Sequence, residues 1–280
     1  MSKHSFGGYW TVEKLNILSD YLNFYITALK NQVFKKIYID AFAGTGYINI
    51  GGEEEVIEGS AKLALKVANP FDKYIFIEKN HDYAKELSIL VNNEFSHVLH
   101  RVSVKNEDCN TALKNICAKT DWRKNRALMF LDPYATELEW ETLKIIAATK
   151  AIDVWYLFPL SAANRMLKKD GRIQESWRNK LNKIFGDDGW FEEFYKPDMQ
   201  MSLFDEGQRF NKEVNEVQLK KYICGRLKTI FSAVADNPRI LYNTKNCPLF
   251  LFCFAVSNDS HTAIRLALNG ADHILKYSGK

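Results

Sequence analysis

Cysteine is scarce in this sequence, and its spacing indicates no metal or redox chemistry. None of the five cysteines lies in C-x-x-C spacing, which excludes a zinc knuckle and gives no disulfide framework of the kind found in small secreted domains. Scattered thiols are typical of a reducing compartment. We therefore expect a cytoplasmic protein with reduced cysteines and no bound metal.

Long apolar runs are also absent. The run LFLFCFAV at 249–256 has the length of a strand and is too short to span a bilayer. The first residues, MSKHSFGGYW, lack the apolar segment that a secretion signal carries. Internal repeats and low-complexity tracts are missing as well. These absences predict neither a membrane protein nor a secreted one.

A strong excess of one charge is missing too. With 38 Lys and Arg against 34 Asp and Glu, the net charge of +4 permits a nucleic-acid partner without requiring one. The 280 residues, 46% hydrophobic and 26% charged, suit one large domain or a domain with an insertion. Nothing in the composition indicates an oligomeric state, so the function has to be inferred from motifs.

The stretch YIDAFAGTGY at 38–47 places an acid and two glycines directly after an apolar strand. Asp40 ends the strand, and Gly44 and Gly46 lie in the following turn. Glycine permits positive φ and a close approach of ligand to backbone. An acid at the carboxyl end of a parallel strand is well placed to bind a polar ligand. A tight strand–helix turn that binds nothing is the alternative, and the motif alone does not decide between them.

Two more acids follow predicted strands. Glu78 closes the strand Tyr74–Ile77, where its carboxylate can accept hydrogen bonds from ribose hydroxyls; a solvated strand-end acid is the alternative. Asp108 follows a strand predicted over Val98–Val104. It either lies near an adenine amino group or caps the next helix. Since the helix predicted from Ser60 begins well after the glycines, a pyrophosphate at its N-terminus is not expected.

The buried strand Ala127–Leu131 runs into Asp132-Pro133-Tyr134. The Asp132 carboxylate and the Pro133 backbone carbonyl can both accept hydrogen bonds from an exocyclic amine, and Tyr134 can stack on a flat ring. A strand end with a buried tyrosine is the alternative. We favour the functional interpretation, because packing an apolar strand rarely needs an acid, a proline and an aromatic residue at its end.

The regions before and after this core carry further candidates. The polar side of the helix Thr11–Lys30, with Lys14, could face a ligand cleft; we favour the alternative, a helix that only packs over the sheet. Asn164 and Arg165 either line a cleft or form a polar helix start. From Lys168 to Lys228, basic residues alternate with aromatic ones, beginning with Lys168 and Trp177. This composition suits phosphates and unstacked bases; a helical cap with solvated lysines is the alternative.

The order of predicted elements defines an α/β fold. Five strand–helix units are followed by strands at Arg239–Tyr242 and Leu249–Val256, whose short connection makes them an antiparallel hairpin. We therefore predict a Rossmann-like sheet of seven strands with helices on both faces and a mainly helical insertion. The predicted parts are a core at 1–165, an insertion that recognises substrate at 166–235, and a hairpin with a last helix at 236–280.

These residues, in this order, resemble class I S-adenosylmethionine-dependent methyltransferases over most of the chain. The resemblance implies S-adenosyl-L-methionine as cofactor. It implies that Asp40, Gly44 and Gly46 hold the methionine part, that Glu78 binds the ribose and Asp108 the adenine, and that Phe42 and Ala43 of the same turn also bind cofactor. Asp132-Pro133-Tyr134 looks like the D-P-P-Y motif of amino methyltransferases but lacks the second proline. In this comparison Asp132, Pro133 and Tyr134 would be catalytic, and Asn164, Arg165, Lys168 and Trp177 would bind substrate.

A narrower resemblance is to the three-Cys-motif partner protein family. It rests on the segments Lys14–Leu22, Ile39–Gly46, Gly59-Ser60-Ala61, Phe76–Glu78, Phe130–Tyr134 and Asn164-Arg165. That family is methyltransferase-like and is named for its association with a separate three-cysteine protein; this chain does not carry that cysteine motif. The resemblance implies either a methyltransferase acting on an amino group of a nucleic-acid base, or a methyltransferase-fold binding subunit that works with the three-cysteine partner. A methyltransferase acting on a protein or a small molecule is a third alternative.

Overall fold

A computed structural model describes residues 8–49, 56–197 and 210–277 of the chain. In these ranges a central, mostly parallel sheet carries helices on both faces. The strands are β1 (Lys35–Asp40), β2 (Tyr47–Asn49), β3 (Val56–Glu58), β4 (Lys73–Ile77), β5 (Val102–Lys105), β6 (Asn125–Leu131), β7 (Ile152–Phe158), β8 (Tyr195–Pro197), β9 (Phe210–Lys212), β10 (Ala233–Val234), β11 (Arg239–Tyr242) and β12 (Pro248–Val256). The helices are α1 (Tyr9–Ala28), α2 (Ser60–Leu65), α3 (His81–Glu94), α4 (Cys109–Lys119), α5 (Trp140–Ala148), α6 (Leu160–Met166), α7 (Glu175–Phe185), α8 (Trp190–Phe194), α9 (Glu216–Lys228) and α10 (His261–Tyr277), with a 3-10 turn at Ser96–Arg101.

The main sheet has the strand order β10-β12-β7-β6-β1-β4-β5, and β11 pairs with β12 as well. Strands β1, β4, β5, β6 and β7 are parallel, whereas β12 runs antiparallel to β7 and β11. This confirms the predicted α/β class and the terminal antiparallel hairpin. The predicted number of seven strands was one too low, because the two-residue strand β10 also pairs with β12. A strand of two residues is too short to show the alternation of apolar and polar residues by which strands are recognised in a sequence.

The strand predicted over Val98–Val104 is wrong in its first half. The structure has the 3-10 turn at Ser96–Arg101, and only Val102–Lys105 joins the sheet. In a strand, Val98 and Val102 would share a face with residue 100, but that residue is His100, which is exposed. Val98 is buried within the 3-10 turn, where its amide donates to the carbonyl of Phe95 at 3.0 Å.

Successive residues of the central strands are buried on opposite faces of the sheet. In β12, Leu251, Cys253 and Ala255 belong to one hydrophobic cluster, and Phe252 and Phe254 belong to the other. This alternation follows from the period of two in a strand, with both faces covered by helices. Helices α1, α2, α3 and α10 contribute to one cluster, and α4 to α9 contribute to the other.

The region predicted as an insertion shares its core with the sheet. Leu181, Phe185 and Leu219 lie in the same buried cluster as Ile146 and Phe158 of the core. Besides helices α7 to α9, the described part of this region contains the small antiparallel pair β8–β9 and the strand β10. The division of the chain into three parts stays a prediction.

Among the residues that the structure describes, no helix combines the length and apolarity needed to cross a membrane. All five cysteines are free thiols. Within the same described ranges there is no group of three or more His, Cys, Asp or Glu side chains arranged to hold a metal ion.

The strand order determines where the polar strand ends meet. Strand β1 lies between β4 and β6, and Asp40 pairs in register with Phe76 on one side and Phe130 on the other. Because parallel strands end at a common edge, the turn after β1, Glu78 after β4 and Asp132 after β6 all lie at the carboxyl edge of the sheet. The sequence motifs are therefore brought together by topology.

The packing of α1 against α10 gives a test of this fold. A Cβ atom added at Gly270 would lie 2.3 Å from Cε1 of Phe24, whereas one added at Gly225 in α9 meets nothing within 4 Å. We expect Gly270→Ala to lower the free energy of unfolding by about 1–3 kcal/mol through overpacking. Gly225→Ala should raise it by up to about 1 kcal/mol through helix propensity. Urea denaturation measures both, and equal shifts in the two variants would contradict the helix contact.

Candidate functional site

A cleft of about 330 Å³ opens at the carboxyl edge of the sheet. Volumes of this order are typical of small-molecule sites. Its lining comes from the turn after β1, the ends of β4 and β5, the start of α4 and the segment after β6. The lining includes four residues predicted from sequence, namely Phe42, Glu78, Asp108 and Tyr134.

The glycine turn is fixed in place by the carboxylate of Glu78. The amide of Gly44 donates to Oε2 of Glu78 at 2.9 Å, and the amide of Asn80 donates to Oε1 at 2.7 Å. Gly44 and Gly46 have φ of +59° and +87°, in the left-handed region that favours glycine. Since a carboxylate can accept about four hydrogen bonds, Glu78 keeps acceptor capacity for a ligand. The turn and the strand-end acid thus form one unit.

Asp40 lies beneath the turn and is completely buried. Its Oδ1 accepts from the amide of Phe42 at 3.2 Å, and its Oδ2 accepts from the hydroxyl of Tyr38 at 3.4 Å. Burial raises the pKa of Asp40 to about 7; the charge of Asp132 adds to the shift, and hydrogen bonds from Ser60 and Phe42 oppose it. Asp40 therefore changes its protonation state near neutral pH. Ala43 is also buried, and its amide donates to the carbonyl of Ile77 at 3.0 Å.

Asp108 caps helix α4. Its Oδ1 accepts from the amides of Asn110 and Thr111 at 3.0 and 3.4 Å, and its Oδ2 lies 3.6 Å from Nζ of Lys79. The capping interpretation of Asp108 is therefore confirmed. The same side chain lines the cleft, so capping also fixes a carboxylate at its wall. The neighbouring Cys109 thiol has a pKa raised to about 12 by burial and by the charges of Asp108 and Glu137, which keeps it protonated.

Asp132 forms an ion pair with Lys14 of α1 through its Oδ2 atom. Lys14 is 4% exposed, and its ammonium also lies 4.8 Å from the ring centroid of Trp10. The ring of Trp10 packs in turn on Phe250 of β12, at 4.9 Å between centroids. The helix face with Lys14 thus reaches the Asp-Pro-Tyr motif and contacts its carboxylate.

Tyr134 and Pro133 differ in their surroundings. Pro133 is buried, whereas the side chain of Tyr134 is 51% exposed and lines the cleft. Burial of part of the ring and the nearby charges of Glu78 and Asp132 raise the pKa of Tyr134 to about 12, so the phenol stays neutral. Ala135, which follows, has φ of +54°, an uncommon conformation for a residue other than glycine.

The predicted substrate residues lie on and after α6. Asn164 and Arg165 are exposed there, and Oδ1 of Asn164 accepts from Nζ of Lys212 at 2.6 Å. The Lys168 ammonium lies 4.8 Å from the ring centroid of Trp177, which is half-buried. Burial, followed by the charge of Lys169, lowers the pKa of Lys212. None of these side chains is among the described residues that line the cleft.

Most aromatic residues of the insertion are packed inside the protein. Phe185, Trp190, Phe194 and Tyr195 are each at most 2% exposed. The suggestion that the interleaved aromatics stack on unpaired bases is therefore wrong for these four, which fill the core between α7, α8 and the sheet. Their spacing on short amphipathic helices reflects burial.

Several cleft residues were missed by sequence reasoning. Lys79, Asn80, Tyr83, Glu107, Cys109 and Glu137 also line it. Most of them directly follow a predicted strand end, so a rule that includes the next few residues after Glu78 and Asp108 would have found them. Glu137 does not directly follow a predicted strand end, so this rule would not have found it. It lies at the cleft because the chain turns back at Ala135. Burial raises the pKa of Glu137, which Lys79 opposes.

No protein-family model and no curated protein matches this chain. Among solved structures it is similar to protein LPL1258 from Legionella pneumophila, family model DUF519, at 13% identity over 98% of this chain and 95% of that chain, with a TM-score of 0.49. The methyltransferase domain of bacterial CtHen1-CN is 11% identical over 86% and 99% of the two chains, with a TM-score of 0.39. Spermidine synthase from Thermotoga maritima is 12% identical over 97% and 66%, with a TM-score of 0.43. At these values none of the likenesses decides what this chain binds or does.

The raised pKa of Asp40 predicts a pH dependence of stability. Between the ordinary pKa of 3.8 and the folded value of about 7, the folded state holds a proton that the unfolded state releases. The contribution of Asp40 to the free energy of unfolding is therefore largest below pH 3.8. It decreases by about 1.4 kcal/mol per pH unit as the pH rises from there to about 7. We expect Asp40→Asn to reduce this slope in urea denaturation across that range.

Asp153 provides the matched control for this measurement. It lies in β7, and burial raises its pKa to about 7 as well, opposed by Arg126. Asp153→Asn should reduce the slope in the same way, and the double variant should reduce it further. An Asp40→Asn protein whose stability falls with pH as steeply as the wild type would show that Asp40 is charged throughout.

Proposed function

We propose that this chain is an S-adenosylmethionine-dependent methyltransferase that acts on an amino group of a nucleic-acid base. The observation that carries the proposal is the arrangement at the carboxyl edge of the sheet. There the glycine turn is bound to Glu78, Asp108 lines the same cleft as Glu78, and the Asp-Pro-Tyr segment follows the adjacent strand.

The cleft fits the chemistry of this cofactor. Glu78 is held by two backbone amides and has acceptor capacity for the two ribose hydroxyls. Asp108 would accept from the adenine amino group, and Phe42 would contact the adenosine. Asp40, Ala43, Gly44 and Gly46 form the base of the turn that would hold the methionine part. The carboxylates of the lining outnumber the single cation Lys79, which suits a ligand carrying a sulfonium charge.

The chemistry proposed is an in-line displacement. Bound S-adenosylmethionine supplies an electrophilic methyl carbon on a positively charged sulfur. Asp132 and the Pro133 carbonyl would accept hydrogen bonds from the target amine and direct its lone pair toward that carbon. The new N–C bond forms as the C–S bond breaks, the sulfur takes the electron pair, and the extra proton on nitrogen leaves to solvent. Alignment supplies most of the acceleration.

The ion pair with Lys14 is compatible with this role for Asp132. Lys14 contacts Oδ2, and a carboxylate has further lone pairs on Oδ1 with which it can accept from an amine. The contact with the ammonium also restricts the rotation of the carboxylate. Tyr134 is half-exposed and lines the cleft, and in this proposal it would stack on a flat base, which a duplex would have to flip out.

The basic residues around α6 support a nucleic-acid substrate. Lys168, Lys169 and Lys212 lie close to Asn164 and Arg165, and the partial burial of Lys212 beside Lys169 indicates a concentrated positive charge. Phosphates are the natural ligands of such a surface. Trp177, under the ammonium of Lys168, would contact the nucleic acid at the same surface.

A second candidate is a binding subunit that acts with a separate three-cysteine partner protein. The observation that favours it is the same partly buried ion pair, because Lys14 competes with any amine for Asp132. In that case the cleft binds cofactor while methyl transfer is weak or needs the partner. A protein or small-molecule substrate would leave the basic surface without a function.

We expect Asp132→Ala to abolish methyl transfer while the dissociation constant for S-adenosylmethionine stays within about tenfold, or about 1.4 kcal/mol. Asp132 would touch only the target amine, so cofactor binding has little reason to change. The measurements are transfer of a labelled methyl group to random-sequence single-stranded DNA and RNA, and calorimetric titration of the cofactor. Asp121→Ala, near the other end of β6, is the control and should change neither methyl transfer nor cofactor affinity.

If Asp132→Ala transfers methyl groups like the wild type, the role assigned to Asp132 is wrong. Transfer by the wild type only when the three-cysteine partner is added would favour the second candidate.

The basic surface predicts a salt-dependent affinity for nucleic acid. Each lysine that contacts a phosphate contributes a slope of about −0.7 in a plot of log affinity against log salt for single strands. We therefore expect the double variant Lys168→Ala/Lys212→Ala to bind a single-stranded oligonucleotide more weakly and with a slope shallower by about 1.4. Fluorescence anisotropy at several salt concentrations measures both values.

Lys35 and Lys73 supply the control, because they are exposed at the opposite edge of the sheet. Lys35→Ala/Lys73→Ala removes the same charge and should leave the slope near that of the wild type. Equal slopes in both double variants would refute α6 as the nucleic-acid surface.

A further inference from the structure

The side chain of Asn110 connects two walls of the cleft. Asn110 is the second residue of α4 and is 8% exposed. Its Nδ2 donates to the carbonyl of Glu137 at 2.8 Å, and its Oδ1 accepts from the amide of Glu139 at 3.0 Å and from the hydroxyl of Thr142 at 2.8 Å. One buried amide thereby holds the segment after the Asp-Pro-Tyr motif at three points.

Glu137, which accepts from Asn110, lines the cleft, and so do the two residues directly before Asn110. Asp108 and Cys109 contribute one part of the lining, called here the Asp108 wall, and Tyr134 and Glu137 contribute another, called the Tyr134–Glu137 wall. Lengthening or breaking the bond from Asn110 to Glu137 would therefore change the distance across the cleft.

The segment that Asn110 holds contains an unfavourable backbone conformation. Ala135 has φ of +54°, and a residue other than glycine keeps such a conformation when the surrounding structure imposes it. The hydrogen bonds from Asn110 lie only a few residues further on, at Glu137 and Glu139. They fix the return of the chain toward α5 and thus the place of Tyr134 above the cleft.

We propose that Asn110 is a positioning residue that sets the separation between the Asp108 wall and the Tyr134–Glu137 wall of the cleft. The proposal rests on the proposed function in that the cleft is taken to bind S-adenosylmethionine. Asn110 acts through Asp108, Tyr134 and Glu137, and it need not touch the cofactor itself. If Asn110 had only a packing role, it would stabilise α5 without affecting cofactor binding. The experiment distinguishes these two roles.

The experiment compares Asn110→Ala with Thr142→Val. The first variant removes all three hydrogen bonds, and the second removes only the bond on the α5 side and keeps the bonds to Glu137 and Glu139. Asn110→Ser, a smaller change with a hydroxyl too short to replace the amide, serves if Asn110→Ala does not fold. The measurements are hydrogen exchange of the backbone amides from 135 to 139, with those of β6 as reference, and calorimetric titration of S-adenosylmethionine.

In Asn110→Ala we expect the amides from 135 to 139 to exchange at least about tenfold faster relative to β6, and the dissociation constant for the cofactor to rise about tenfold. Thr142→Val should leave both within about twofold. Faster exchange with unchanged affinity would overturn the proposal, and so would an equal loss of affinity in Thr142→Val. If the wild type binds no cofactor, the proposed function is refuted. Faster exchange in Asn110→Ala would then still show that Asn110 holds the segment from 135 to 139, because exchange is measured without ligand.

Discussion

The site depends on the carboxylate of Glu78. Glu78 is nearly completely buried, and burying a charge is costly unless the charge is paired by hydrogen bonds. The amides of Gly44 and Asn80 supply such bonds at 2.9 and 2.7 Å. The glycine turn therefore cannot move away from β4 without removing the backbone donor from Oε2 of Glu78. The shape of the cleft follows from this constraint, since the turn forms one side of it and the end of β4 forms another.

Much of the fold could be predicted from sequence because its signals are local. Apolar strands bounded by polar turns, and the acids directly after them, are visible within a few residues. The rule that parallel strands end at one edge then brings Asp40, Glu78 and Asp132 together without any further information. The same rule explains why the acids after β1, β4 and β6 were assigned to one site before their distances were known.

The contacts that were not predicted join distant parts of the chain. Lys14 and Asp132 are 118 residues apart in sequence, and Lys212 and Asn164 are 48 apart. Their pairing depends on how helices pack over the sheet, which residue patterns do not specify. Asn110 was missed for a related reason: its place next to the capping residue Asp108 made it look like an ordinary first-turn residue. The prediction that the aromatic residues of the insertion stack on bases rested on composition alone. Composition does not distinguish a binding surface from a core.

Helix α1 makes its main contacts with the end of the chain. Trp10 packs on Phe250, Tyr21 on Phe254, and Glu13 pairs with Arg239 at 2.5 Å. During synthesis the N-terminal segment emerges first, at a time when β11 and β12 do not yet exist. Helix α1 therefore leaves the ribosome before β11 and β12, and the part of its apolar face that packs on them is covered only when they follow. A chain interrupted before residue 250 would keep the contact of Lys14 with Asp132 but would leave Trp10 and Tyr21 without their partners Phe250 and Phe254.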